Sequence, residues 1–314
     1  MSRPLVIQTE ELDASCAGWF AERVELVQCP SEETARFDEL LARADGLVIR
    51  TYTKVDSELL ARAPKLKVVG RAGVGLDNVD IPACKARGVT VLSTPDANTR
   101  AVVELCWAFI LDAVRPRLFL ERPMDLAEWK KIRKELTAPR QLSDLTLGIL
   151  GLGRVGRSMA RIAGAFNMRV IYNDLLEIPP GERHGAIPVP VGEVFGAADI
   201  VTVHIDGRKN NRLFVGNELL SRMKRDAVFI NASRGFVLDA LALAALLWER
   251  PDTTAILDVH DPEPFAADYP LLSVPNCHLS PHIGAATATA HRNMSWVVRD
   301  VWRVLSGEKP EFPA

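Results

Sequence analysis

The sequence predicts an α/β protein built on two parallel sheets. Short, continuously apolar runs recur along its 314 residues, stretches with helical spacing separate them, and glycine or proline closes many elements. Strands with no polar alternation are those covered by helices on both faces, as in parallel sheets. The length suits two domains better than one core.

The first series precedes Asn98. Pro4 to Ile7 is a short apolar run, and Glu33 to Ala44 has helical spacing with Phe37, Leu40 and Leu41 on one side. Gly46 to Arg50 reads as a strand, and Val55 to Ala63 as a helix stopped by Pro64. Leu66 to Val69 is a strand, Ile81 to Arg87 a helix stopped by Gly88, and Val89 to Leu92 a strand. A long helix is expected from Thr99 to Arg115, with Asn98 or Thr99 as its N-cap. The charged stretch from Arg117 to Arg140 is expected to hold a second helix and an exposed connection.

A second series starts at Leu145. Its six strand candidates are Leu147 to Leu150, Val170 to Tyr172, Ile200 to Val203, Val228 to Ile230, Ala255 to Leu257 and Cys277 to Leu279. Ala285 to Leu305 reads as an amphipathic helix.

Composition excludes several classes. A net charge of −2 offers no basic field to nucleic acid. The five cysteines contain no C-x-x-C pair, so neither a disulfide framework nor a zinc site is expected. His278 and His282 lie four apart, but in strand and loop, so no metal is expected there either. The most apolar stretch, Ala101 to Val114, is broken by Glu104 and Asp112 and falls short of the roughly 20 residues of a membrane span. With acidic residues near the start and no signal-peptide pattern, the expected location is the cytoplasm.

The strand ending at Leu150 runs into Gly151-Leu-Gly-Arg-Val-Gly156, and Arg157 to Phe166 has helical spacing. In such a G-x-G-x-x-G turn the first glycine permits the bend. The second admits a pyrophosphate, and the third lets helix and strand pack. The helix N-terminus then faces the phosphates. A glycine turn alone could serve packing only. Here Asp174 also stands at the end of the next strand, 18 residues past Gly156, where a carboxylate accepts from ribose hydroxyls and repels a 2′-phosphate. The turn therefore predicts a bound dinucleotide, and Asp174 favours NAD over NADP.

Three later residues point to chemistry. Arg234, in Asn231-Ala-Ser-Arg-Gly235, follows the fourth strand of this series, where a guanidinium can grip a carboxylate with two parallel hydrogen bonds. His282 follows the last strand, and Glu263 lies 19 residues before it. A carboxylate against the imidazole would orient the ring as a general acid–base. Singly, Arg234 could be a surface ion-pair partner, Glu263 a solvated loop acid and His282 a satisfied turn histidine. Their joint placement on one rim of one sheet favours a site.

With these residues in view, the chain resembles the D-isomer-specific 2-hydroxyacid dehydrogenase family over nearly its whole length. The resemblance rests on Val69-Gly-Arg-Ala-Gly-Val-Gly-Leu-Asp-Asn-Val-Asp80, Thr94-Pro-Asp-Ala-Asn98 with Glu104, the glycine turn, Asn231-Ala-Ser-Arg-Gly235, Leu257-Asp-Val259 with Glu263-Pro264, and Ser280-Pro-His-Ile-Gly284. It implies a Rossmann NAD-binding domain, 98–284, inserted in a smaller flavodoxin-like α/β substrate domain, 1–97 and 285–314. By that resemblance Arg234 holds the substrate carboxylate, His282 is the acid–base and Glu263 its partner. Gly151, Gly153, Arg154, Val155, Gly156, Asp174, His204, Ile205, Ala232, Ser233, Asp258, Gly284 and Ala285 line NAD, with Asp258 near the carboxamide. Val74, Gly75 and Asn98 meet the substrate. A homodimer is implied, with the long helix and charged arm near the contact. One departure stands out: after His204 the family shows a proline and a threonine-containing turn, and this chain has Ile205-Asp-Gly-Arg-Lys-Asn-Asn-Arg212.

Ile49-Arg-Thr-Tyr-Thr-Lys-Val55 and Gly70-Arg-Ala-Gly73 look like the 3-phosphoglycerate dehydrogenase branch. Arg50 and Arg71 past strand ends would suit a dianion, so D-3-phosphoglycerate is expected slightly ahead of glyoxylate or hydroxypyruvate. Arg50 and Arg71 pairing only with acids is the plainer reading. The chain ends at Ala314, so an appended regulatory domain and feedback through it are not expected. The alternative from another class is an NADH-sensing, corepressor-like interaction protein.

Overall fold

A computed structural model describes residues 3–115 and 117–314. The chain divides into two compact units, one of residues 1–99 with 285–314 and the other of residues 100–284.

The first unit holds five parallel strands: β1 (Leu5–Gln8), β2 (Glu25–Gln28), β3 (Gly46–Ile49), β4 (Val68–Arg71) and β5 (Thr90–Leu92), in the order β2-β1-β3-β4-β5. β1, β3 and most of β4 are buried, which explains their apolar runs. β2 has no long apolar run in the sequence because it is an edge strand, Glu-Leu-Val-Gln, with both ends exposed. The preceding helix Ala14–Ala21 also lacks polar periodicity. Asp13 caps it, accepting from Ser15 and Cys16 N–H. Val55 is a bridge residue rather than helical, and the helix Ser57–Arg62 starts at the Asp56 cap. The expected C-terminal helix is two, Ala288–Ser295 and Val297–Ser306, parted at Trp296. Val297 and Val301 of the second pack onto Gly70, where a methyl group would overlap Val301 Cγ2.

The second unit holds β6 (Thr146–Leu150), β7 (Arg169–Asn173), β8 (Ile187–Pro188), β9 (Ile200–Val203), β10 (Val228–Asn231), β11 (Thr254–Leu257) and β12 (Cys277–Leu279). All pairs are parallel, in the order β12-β11-β10-β9-β6-β7-β8. The sheet has seven strands rather than six because β8, two exposed residues long, carries no apolar run to read. Alternate residues serve two cores: Leu147, Ile149, Val170, Tyr172, Ile200, Ile230 and Ile256 face one, and Leu150, Ile171, Val201, Val203, Phe229 and Leu257 the other. The helices Thr99–Val114 and Leu126–Glu135 precede this sheet, and no residue of the latter is buried. No helix among the described residues is long and apolar enough to cross a membrane.

Candidate active site

Functional side chains of the second unit gather at the carboxyl ends of its strands. At the end of β6, Gly151 takes φ +94°, and a side chain there would meet the His204 carbonyl at 2.9 Å. Gly153 opens the helix Arg154–Ala165 with no side-chain cap, and among the described residues nothing lies within 4 Å of where its Cβ would be. A Cβ on Gly156 would overlap Gly151 O, so helix and turn touch through bare backbone. Unsatisfied first-turn N–H groups facing open space form a cradle that fits a pyrophosphate.

Asp174 closes the far side of this turn. Its Oδ2 accepts from Leu152 N–H at 2.6 Å and its Oδ1 from Leu176 N–H at 2.9 Å. A cavity of about 320 Å³ opens beside it, lined by Tyr172 to Glu177, Arg183, Pro188 and Val189. Pro188 of β8 supplies part of its wall.

Past β9, His204 Nε2 pairs with Thr202 Oγ1 at 2.8 Å, and surrounding protein lowers its pKa to about 3, so the ring is neutral. The unusual segment 205–212 is ordered by Asp206. Arg208 binds its carboxylate through side chain and backbone, and Asn211 Nδ2 donates to its carbonyl and Oδ1 at 2.9 and 3.0 Å. The Arg208 hydrogen bond, against burial and aided by the field of Arg234, holds Asp206 below the ordinary carboxylate range.

Past β10, buried Asn231 builds the next turn. Its Oδ1 accepts from Ser233 N–H and Oγ at 3.0 and 2.9 Å, and its Nδ2 donates to Arg234 O at 3.0 Å. The Arg234 backbone is thereby set at the strand end, and its Nη1 donates to Ser233 O at 2.7 Å.

Past β11 and β12, Glu263 and His282 meet: Glu263 Oε2 lies 2.7 Å from His282 Nδ1. Glu263 Oε1 also accepts from His260 N–H at 2.7 Å. Burial pushes the Glu263 pKa up, but the His282 and His260 hydrogen bonds outweigh it and hold the carboxyl below its ordinary value. An ionised carboxylate only accepts, so the shared proton sits on Nδ1 and Nε2 is the ring atom left for chemistry.

Two residues that position this pair were not legible as such. Asp258, buried at the end of β11, accepts from Ile283 N–H at 2.9 Å and Gly284 N–H at 2.7 Å. Between those anchors and Pro281, His282 is held at φ +54°. Its two oxygens brace the histidine turn. His260 Nε2 lies 2.9 Å from Ser280 O, so its ring ties the end of β11 to the start of that turn. Its Nδ1 is buried with no hydrogen-bond partner among the described residues, and Phe265 and Tyr269 pack edge-on to the ring. Neither role has a sequence signal, because the bonded backbone groups lie 20 to 26 residues away.

In the first unit the Arg50 N–H, with those of Thr51 and Tyr52, is bound by Glu10, a residue that no motif marked. Arg50 Nη1 donates to Glu11 O at 3.2 Å. The Arg71 guanidinium folds over Gly73, its Nη1 filling the place where a Cβ would stand, and Val74 and Gly75 follow it half-buried. Asn98 is half-buried between β5 and the long helix.

Fold and site together define a doubly wound dinucleotide-binding protein with a hydrogen-bonded Glu–His pair on the cofactor edge of its sheet. Residues 107–284 match the NAD-binding domain of the D-isomer-specific 2-hydroxyacid dehydrogenases, and the chain belongs to that family. It is 36% identical over 280 residues to D-3-phosphoglycerate dehydrogenase of Methanocaldococcus jannaschii, covering 87% of this chain and 53% of that one. It is 32% identical to glyoxylate reductase of Thermococcus onnurineus, over 98% and 95%. The crystal structure of the TT0316 protein of Thermus thermophilus superposes with a TM-score of 0.84 at 30% identity, covering 99% of each chain. The chain spans about half the length of the phosphoglycerate dehydrogenases it matches.

Proposed function

We propose that this chain is an NAD-dependent D-2-hydroxyacid dehydrogenase. The single observation that carries the reading is the Glu263–His282 pair, braced by Asp258 on the same sheet edge as the glycine cradle. NAD, when bound, supplies the hydride acceptor. Arg234 holds the acid's carboxylate. His282 Nε2 takes the hydroxyl proton in oxidation and returns it in reduction, while Glu263 keeps Nδ1 protonated and the ring fixed. Gly153 and the first turn of its helix receive the pyrophosphate, and Asp174 the adenosine ribose.

Two acids fit different observations. Arg50, Arg71 and the names of several relatives favour D-3-phosphoglycerate. The glyoxylate reductases, matched over nearly their whole length, and the occupied amides at Arg50 favour a small unphosphorylated acid. Val74, Gly75 and Asn98 would complete the substrate site. Purified protein should reduce at least one member of a 2-keto acid panel with NADH, faster than with NADPH, and yield the D-hydroxyacid. NADH binding with no turnover across the panel, or an L product, would reject the reading.

A homodimer in the cytoplasm is the assembly and location we propose. The arm that supports the dimer exposes Leu118, Phe119, Leu120, Leu126 and Trp129. Such a run of apolar surface suits an interface, and sedimentation at the mass of one chain would refute it.

A further inference from the structure

The five-stranded sheet has the order β2-β1-β3-β4-β5, so its connectivity reverses between β1 and β3. In open parallel sheets, ligands collect beyond the carboxyl ends of the strands at such a switch point. Here the chain occupies that point itself. Glu10, two residues past β1, reaches the segment directly after β3. Its Oε1 accepts from Arg50 N–H at 2.9 Å and Tyr52 N–H at 3.1 Å, and its Oε2 from Thr51 N–H at 2.9 Å. Three successive amides converging on one point form an anion-binding concavity of the kind that holds phosphate oxygens.

The surrounding contacts hold this arrangement in place. Thr53 Oγ1 and Thr9 Oγ1 are 2.7 Å apart, both residues being buried, and Asn78 Nδ2 donates to Arg50 O and Thr53 O at 3.1 and 2.7 Å. The loop thus has anchors besides Glu10, and Thr51 and Tyr52 are exposed. The donors that a phosphate would use are taken by a fixed carboxylate, whose charge repels a second anion.

We propose that Glu10 is an internal anion plug that restricts this site to 2-hydroxyacids with no phosphate at the end remote from the reacting carbon. The proposal rests on the dehydrogenase reading for its substrate consequence, and on the amide cluster alone for its anion chemistry. The Arg50 guanidinium stays with Glu11 O.

The test compares hydroxypyruvate with 3-phosphohydroxypyruvate, the same skeleton with and without phosphate, for wild type, Glu10→Ala and Glu10→Gln with NADH. Wild type should prefer hydroxypyruvate in kcat/KM. Glu10→Ala should raise the phosphorylated-to-unphosphorylated ratio by at least about tenfold, through loss of repulsion and release of three donors. Glu10→Gln, which removes the charge but keeps an acceptor, should move it part of the way and carries the test if Glu10→Ala fails to fold. In parallel, inorganic phosphate is titrated calorimetrically into each NADH-loaded protein: saturable binding should appear in Glu10→Ala and be absent from wild type. A wild-type preference for the phosphorylated acid, or a folded variant with an unmoved ratio, overturns the proposal. If no form turns over either acid, the dehydrogenase reading fails for them, and phosphate binding gained or not gained still decides the role of Glu10.

Discussion

Replacing Asp258 with asparagine isolates the bracing of the histidine turn. Wild-type Asp258 receives two N–H bonds, from Ile283 at 2.9 Å and Gly284 at 2.7 Å, in a site that is 1% exposed. The amide keeps one accepting oxygen and turns an NH₂ group toward the other backbone donor. One charge-assisted bond is lost, at roughly 1.5–3 kcal/mol, and a buried donor is left unpaired, so the net cost is about 2–4 kcal/mol. His282 is held in a left-handed conformation that costs roughly 1–2 kcal/mol in a non-glycine residue, so a loosened turn relaxes toward negative φ and carries the ring away from Glu263. A displacement of about 1 Å in a reacting group lowers turnover by on the order of a hundredfold. Urea denaturation should show the lower midpoint with an unchanged slope, and steady-state kinetics the fall in kcat. A variant as stable as wild type to within about 0.5 kcal/mol, with its kcat kept, would refute this account of the turn.

Other substitutions separate the remaining parts. Asp174→Ala should narrow the preference for NADH over NADPH, measured as the ratio of kcat/KM; a wild type that already prefers NADPH would contradict the reading. His260→Phe keeps the contacts with Phe265 and Tyr269 but cuts the tie to Ser280 O, so kcat should fall about tenfold with KM little changed, and His260→Gln, which restores a donor, should recover part of it. Asp199 accepts from Arg140, Lys224 and Thr146 N–H; burial opposes its ionisation, but these partners prevail and hold its pKa below the ordinary 3.8. A carboxyl depressed in the folded state adds stability above its unfolded pKa and loses it as pH falls through the folded one. Asp199→Asn should therefore lower stability at neutral pH, and the gap to wild type should close below pH 3.8 in denaturation curves.

What the sequence reveals follows from how local each feature is. β6, β9 and β10 are legible because both faces are buried, and the glycine turn because contact with His204 and the bare crossing of Gly156 over Gly151 admit no side chain. β2 and β8 escape notice because edge strands need no apolar run. Arg234, Glu263 and His282 stand out as residue types at strand ends. The residues that set their geometry, Asn231, Asp258 and His260, act through backbone groups of other loops. Glu10 is invisible for the same reason: its partners lie 40 to 42 residues ahead and are main-chain amides.

In the proposed reaction His282, oriented by Glu263, moves the proton while NAD exchanges the hydride. Turnover and NADH affinity of His282→Ala, compared with wild type on the best 2-keto acid, test it most directly. A loss of general acid–base catalysis predicts kcat lower by about 10²–10⁴, with the NADH dissociation constant held. A His282→Ala protein that binds NADH and still reduces the acid at the wild-type rate would exclude His282 as the acid–base.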